Sequence, residues 1–246
     1  MKFTQHYTVK WHDTDSNRCV RPSCLLMYLQ ETANLQLASV GVSLDTLRDE
    51  RGLAFLLSRI TVRIYYPLYT GDEIEVQTWI CEGRGLHFDR CFQVWRGEQL
   101  VAEAFSDWAL LNLWEKRLVR TSEFSYGFAP DEPLAPELSA RVRYPVLGGM
   151  EQVGERKIVY SDIDYNRHMN NTHYPDMLCD FTPDILSRRV VGMSLSFLNE
   201  ATFGHTLKVY RQEKEDGFYF RTVNGEGKTC LEAVLLTQPL EDVAER

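Results

Sequence analysis

The chain has no C-x-x-C pair, no long apolar run and no excess of positive charge. Its six cysteines, at 19, 24, 81, 91, 179 and 230, are scattered through 246 residues. A chain of this length needs no disulfide framework, so they read as reduced and mostly buried thiols. No stretch approaches the roughly 18 unbroken apolar residues of a membrane span. Met1 to Lys10 alternates polar and apolar residues where a secretory leader would carry an apolar core. It is expected to form a first strand of a cytoplasmic protein. A net charge of −8 argues against nucleic acid as the main partner, because phosphate binding needs a basic surface. An acidic protein partner stays compatible if basic residues cluster locally. Arg141, Arg143, Arg156, Lys157 and Arg167 are candidates, although a solvated face is the simpler account of them. The 44% apolar content supports a real core, for one large domain or two small ones.

A weak internal repeat organises the chain. Asp13-Thr14-Asp15-Ser16-Asn17-Arg18 and Asp162-Ile163-Asp164-Tyr165-Asn166-Arg167 share D-x-D-x-N-R, four of six positions, at one offset of 149 residues (15 to 164, 17 to 166). Each motif follows a short alternating segment, Tyr7–Trp11 or Arg156–Tyr160. Each precedes a helix candidate, about 23–40 and about 171–187. Alternating runs come next, with Ile60, Val62, Ile64 and Tyr66 on one face of the first and Ile74, Val76 and Ile80 on one face of the second. Period two marks half-buried strands, and Gly71-Asp72 between them marks a turn. The second half answers with Met193 to Leu198, a Gly204-His205 turn and Leu207 to Arg211. Both halves close with a hairpin.

The first helix is apolar on nearly every side, which predicts a buried helix wrapped by a curved antiparallel sheet. Proline-rich, acidic Ala129 to Pro136 reads as an extended linker. The expected organisation is therefore α+β: residues 1–128, a linker at 129–149, and residues 150–246, with the two sheets joined into one.

Chemistry concentrates at Asp164-Tyr165-Asn166-Arg167-His168-Met169-Asn170-Asn171-Thr172-His173-Tyr174, just before a predicted helix capped by Asn171 or Thr172. A helix start offers unpaired N–H groups for a developing oxyanion, and an imidazole there can move protons near neutral pH. The pattern D-x-N-x-H-x-N-N-x-x-Y resembles the second-half signature of acyl-ACP thioesterases, the plant chain-terminating enzymes and their bacterial relatives. Leu195-Ser196-Phe197-Leu198-Asn199-Glu200-Ala201 is similar to that family's strand carrying a catalytic glutamate, and His12-Asp13-Thr14-Asp15 to its degenerate first domain.

The resemblance implies a tandem hot-dog fold that hydrolyses fatty acyl thioesters on acyl carrier protein, with the acyl chain housed by the first domain. It implies a catalytic set of Asp164, Asn166, His168 and Glu200, and no cofactor. Glu200, helped by His168, would activate water; which carboxylate is the base stays open. The family has been discussed with a cysteine after the glutamate. Here Ala201 stands there, which favours direct attack by water.

The first half keeps Asp15 and Asn17 but has Cys19 in place of His168 and Pro67 in place of Glu200, so it lacks both proton-transfer groups. An acyl-CoA thioesterase using the same site and a non-catalytic acyl-binding module are the alternatives; binding alone would not require the intact set. A metal site from Asp162, Asp164 and His168, or a nucleophilic Cys19, has only weak support. His6, His12, His87 and His205 show no supporting constellation. A homodimer is one option for the assembly, although two fused units already supply the minimal pair.

Overall fold

The computed structural model describes residues 2–240; residues 241–246 of the expected second domain lie outside the described residues. The first half runs β1 (Phe3–Thr8), α1 (Pro22–Ser39), β2 (Leu53–Ile64), β3 (Glu73–Ile80), β4 (Phe88–Arg96), β5 (Gln99–Asn112) and the short β6 (Arg117–Val119). After a four-residue helix α2 (Pro136–Ser139), the second half runs β7 (Glu151–Lys157), α3 (Tyr174–Asp180), β8 (Arg188–Phe197), β9 (Thr206–Lys214), β10 (Gly217–Val223) and β11 (Thr229–Pro239). Inward positions of the alternating strands are closed off from water, as Ile60, Val62, Ile74, Val76 and Ile80 show. Each such side chain contributes about 1.5–3 kcal/mol by leaving water.

All strands join one antiparallel sheet in the order β1-β3-β4-β5-β2-β8-β11-β10-β9-β7, with β6 paired to β5. The order is a palindrome: each half contributes the same five-strand pattern, and the halves meet where β2 pairs β8. At that seam Thr61 faces Ser194, and their hydroxyls lie 3.1 Å apart. The repeat reaches fine detail. A register shift between Leu57 and Arg59 in β2 recurs between the β11 partners of Gly192 and Val190 in β8. Gly71 and Gly204, at the matching turns, have φ of 88° and 84°, a left-handed conformation that glycine adopts without penalty.

Each half wraps its sheet around a helix, the hot-dog arrangement that the sequence predicts, but the two helices differ. α1 is not buried on every side: Met27, Glu31 and Ala38 form an exposed stripe, while Leu25, Leu29, Ala33 and Leu37 enter the core. The helix expected over 171–187 is cut to α3, seven residues, flanked by 3-10 turns at Asn171–His173 and Ile185–Ser187. Pro183 supplies the reason: it has no N–H to continue the ladder and disfavours helix at the preceding residue. Asp184 follows in the left-handed region at φ 51°.

The segment expected as an extended linker is a packed strap. Leu134 and Leu138 complete a cluster with Trp79, Cys81, Cys91 and Phe105 on the outer face of the first-half sheet. The Trp79 indole donates to the carbonyl of Glu132 at 2.7 Å, and Arg59 to that of Ala140 at 2.9 Å. Among the described residues, no helix is long and apolar enough to cross a membrane.

Candidate active site

The loop before α3 is held by its own first aspartates. Asp162 accepts from the Val159 N–H at 2.8 Å and from Arg156, at 2.7 Å. Asp164 Oδ1 accepts from the Asn166 N–H at 2.8 Å, and the Asp164 N–H donates to the His168 carbonyl at 3.1 Å. These bonds curl the chain tightly enough that Arg167 sits at φ 70°. The Met169 N–H then donates to Ala201 at 2.7 Å, which lays the loop against the segment after β8. This backbone clasp brings residues 168 and 200 together.

His168 Nε2 lies 3.9 Å from Glu200 Oε1. That is beyond a direct hydrogen bond and suits one shared water. His168 Nδ1 faces the Met169 carbonyl at 3.4 Å; because a carbonyl only accepts, this contact favours the proton on Nδ1 and leaves Nε2 toward Glu200. The imidazole is largely sheltered, while the Glu200 side chain is 68% exposed.

Both open into a cavity of about 480 Å³, a size typical of small-ligand sites. Its mouth is the 164–171 loop and Phe197 to Ala201. Its walls are largely apolar and come from the other half, with Ala33 and Leu37 from α1 and Phe55 and Leu57 from β2. Two strands beyond β2 the cavity meets Arg90, a buried guanidinium that donates to Gln36 at 2.5 Å and Thr78 at 3.0 Å. Burial lowers its pKa to about 10, so it stays charged at neutral pH.

Family models for the acyl-ACP thioesterase N-terminal domain and C-terminal domain match residues 1–125 and 150–234 respectively. The chain belongs to the acyl-ACP thioesterase family. Among curated proteins it is 23% identical over 216 residues to the chloroplastic palmitoyl-acyl carrier protein thioesterase of Cuphea hookeriana, covering 80% of this chain and 51% of that one. It is 26% identical over 208 residues to oleoyl-acyl carrier protein thioesterase 1 of Arabidopsis thaliana, covering 74% and 55%. The chain thus spans about half the length of the curated relatives it matches. Solved structures share the fold: an acyl-ACP thioesterase from Bacteroides thetaiotaomicron at TM-score 0.87, with 22% identity over 96% of this chain and 98% of that one; and the 12:0-ACP thioesterase from Umbellularia californica at TM-score 0.84, with 18% identity over 97% of each.

The four residues expected from sequence surround one cavity, yet the structure changes their surroundings. Asn166 Oδ1 accepts from Arg48 Nη1 at 2.6 Å. Arg48 comes from the helical turn after α1, and its guanidinium also lies 5.4 Å from the ring centre of Tyr165. With the amide oxygen engaged, Asn166 has N–H donors to offer a ligand. Sequence reasoning missed Arg48, because a contact across 118 positions leaves no local spacing to read.

The cap of the turn is Asn170, neither Asn171 nor Thr172: its side chain accepts from the Thr172 N–H at 3.0 Å. The His173 N–H donates to the Asn170 carbonyl. Two helix-start donors expected to receive an oxyanion are therefore already used.

Cys230, the cysteine beside this site, is buried, with Sγ 3.8 Å from the Glu200 carbonyl. Burial raises its pKa, which makes it a poor nucleophile. His87, which had no partner in sequence, has one in space: Nδ1 lies 2.9 Å from both carboxylate oxygens of Asp107. Neither residue lines the cavity. No group of three or more metal-ligating side chains occurs among the described residues.

Proposed function

We propose that the chain hydrolyses the thioester of a fatty acyl group carried by acyl carrier protein, releasing the free fatty acid and the carrier thiol. The observation that carries this reading is a His168–Glu200 pair 3.9 Å apart at the mouth of a largely apolar chamber. Water between Nε2 and the carboxylate loses a proton to the pair as its oxygen adds to the thioester carbonyl. The tetrahedral oxyanion takes hydrogen bonds from the Asn166 amide, whose other side Arg48 holds in place. Collapse breaks the C–S bond, and the proton held by the pair goes to the departing thiolate. Water and thioester thus become carboxylic acid and thiol.

Within this scheme Glu200 is the base and Asp164 a positioning residue. Asp15 makes the same bond to the Asn17 N–H, also at 2.8 Å, in the half that has Cys19 where the second has His168. A contact shared by both halves is loop architecture. Ala201 and the inert Cys230 favour water over a covalent cysteine route.

The carrier is tested by steady-state hydrolysis of acyl-ACP and acyl-CoA of matched chain length. The expected result is a higher kcat/KM for acyl-ACP; a strong preference for acyl-CoA overturns the carrier assignment. Loss of hydrolysis of both substrates in well-folded wild-type protein overturns the reaction itself.

A further inference from the structure

A second cavity, of about 320 Å³, occupies the position related to the first by the internal repeat. The halves exchange roles in it. The 15–19 loop and Pro67 stand where the 164–168 loop and Glu200 stand in the first cavity, and α3 and β8 replace α1 and β2. Cys19 and Pro67 remove proton transfer, yet the space has not closed. Apolar side chains line it, among them Leu25, Ile64, Leu68 and Val191.

Three positions have turned cationic. At the 149-residue offset Arg21 matches Asn170; at the 133-residue offset of the turn glycines (71 to 204), Arg188 and Arg189 match Phe55 and Leu56. Among the described residues, none of the three makes an ion pair. Arg21 donates through Nη2 to the His12 carbonyl, and its Nε is buried without a hydrogen-bond partner. Arg188 reaches the Thr237 hydroxyl at 3.3 Å and lies over the Phe218 ring, and Arg189 reaches the Gln238 amide oxygen at 3.1 Å.

The nearby carboxylates are accounted for in other ways. Asp15 accepts from the N–H groups of Asn17 and Cys19, and Asp176 from the Ser23 N–H and hydroxyl. Burial pushes the Asp180 pKa up.

We propose that this relict cavity binds a fatty carboxylate as a non-reacting ligand, its tail on the apolar wall and its head on the arginines. Guanidinium and carboxylate match in charge and in bidentate geometry, and the cavity's size falls in the range of small-ligand sites. The choice of ligand rests on the hydrolysis proposed above, whose product is such an anion.

Alkylation of Cys19 by iodoacetamide, followed by peptide mass analysis, reads occupancy without any turnover, so its failure leaves the hydrolytic reading standing. Cys19 lines this cavity and not the catalytic one. Cys179 also lines it, but burial pushes that thiol's pKa to about 12 and keeps it slow to react.

Dodecanoate at about ten times its dissociation constant is expected to slow Cys19 labelling about tenfold. Dodecanol at the same concentration is expected to have little effect. Arg188→Gln and Arg189→Gln, tested singly so that one misfolded variant leaves the other, are each expected to weaken the protection while hydrolysis continues. Labelling indifferent to dodecanoate, equal protection by dodecanol, or protection that survives both substitutions overturns the proposal.

Discussion

The two loops that open with D-x-D-x-N-R are built alike and equipped differently. Asp13 accepts from the Lys10 N–H at 2.9 Å as Asp162 does from Val159 at 2.8 Å. The Arg21 N–H bonds the Asp13 carbonyl at 2.9 Å, as Asn170 bonds Asp162 at 2.8 Å. Val20 bonds Leu68 as Met169 bonds Ala201, and Arg18, at φ 63°, mirrors Arg167 at 70°. On this shared backbone frame the side chains outside D-x-D-x-N-R differ, and two of the differences bear on proton transfer: Cys19 for His168 and Pro67 for Glu200. The difference teaches which residues maintain the loop and which are free to carry chemistry. Aspartates and the positive-φ arginine belong to the frame. The imidazole and the carboxylate at 200 do not, which is why the proposed hydrolysis puts proton transfer on them.

The comparison breaks first at those two positions. His168→Ala and Glu200→Ala, each with unchanged circular dichroism, are expected to lower kcat by on the order of 100-fold or more. Cys19→Ala and Pro67→Ala are expected to change it less than about twofold, in line with conservative surface changes. Comparable losses in both halves would mean that the first half also turns over substrate.

Next in size is the contact between halves. Arg48→Ala removes a charge-assisted hydrogen bond worth about 1.5–3 kcal/mol, and is expected to lower kcat by roughly tenfold with a smaller change in KM. Arg48→Lys should recover part of the loss. The counterpart, Asn17, donates to the Leu186 carbonyl at 3.1 Å, and Asn17→Ala should leave turnover unchanged. A KM effect with unaltered kcat would place Arg48 in binding instead of positioning.

Smaller still is the cost of the frame. Asp15→Ala and Asp164→Ala are each expected to lower unfolding free energy by about 1–2 kcal/mol, as lost caps do, in chemical denaturation. Only Asp164→Ala should also depress turnover, through the displaced loop. Stability losses that differ widely between the two would deny that both aspartates do the same work.

The smallest expected effect is the most informative about the first half. Installing Cys19→His with Pro67→Glu should raise kcat by less than about twofold, because Arg188 and Arg189 stand where the His168 cavity presents Phe55 and Leu56. A clear gain would show that the two missing groups were all that the first half lacked.

What could be read in advance follows the same division. The repeat, the turn glycines and the alternating strands are local patterns, and each leaves its mark in spacing or composition, whereas the four residues that line one cavity come from the family resemblance. D-x-D-x-N-R occurs twice, and its first aspartate accepts a backbone N–H in both loops. Arg48 was not legible, since its partner is remote in sequence, and neither was the His87–Asp107 pair, which forms only when β4 and β5 align. Ala129 to Pro136 reads as extended because proline and acidic residues dominate its composition, yet Leu134 and, just beyond it, Leu138 find an apolar patch on the sheet's outer face. The spacing suggests a longer second helix because its polar and apolar pattern continues past the point where Pro183 stops the backbone.

The most direct test is a double-mutant cycle on kcat with acyl-ACP substrate, using His168→Ala, Glu200→Gln and the pair together. Two groups that share one water act as a unit, so the double variant is expected to fall no further than the worse single one. Losses that multiply, or a single variant that keeps near-normal kcat, would contradict a paired site at 168 and 200.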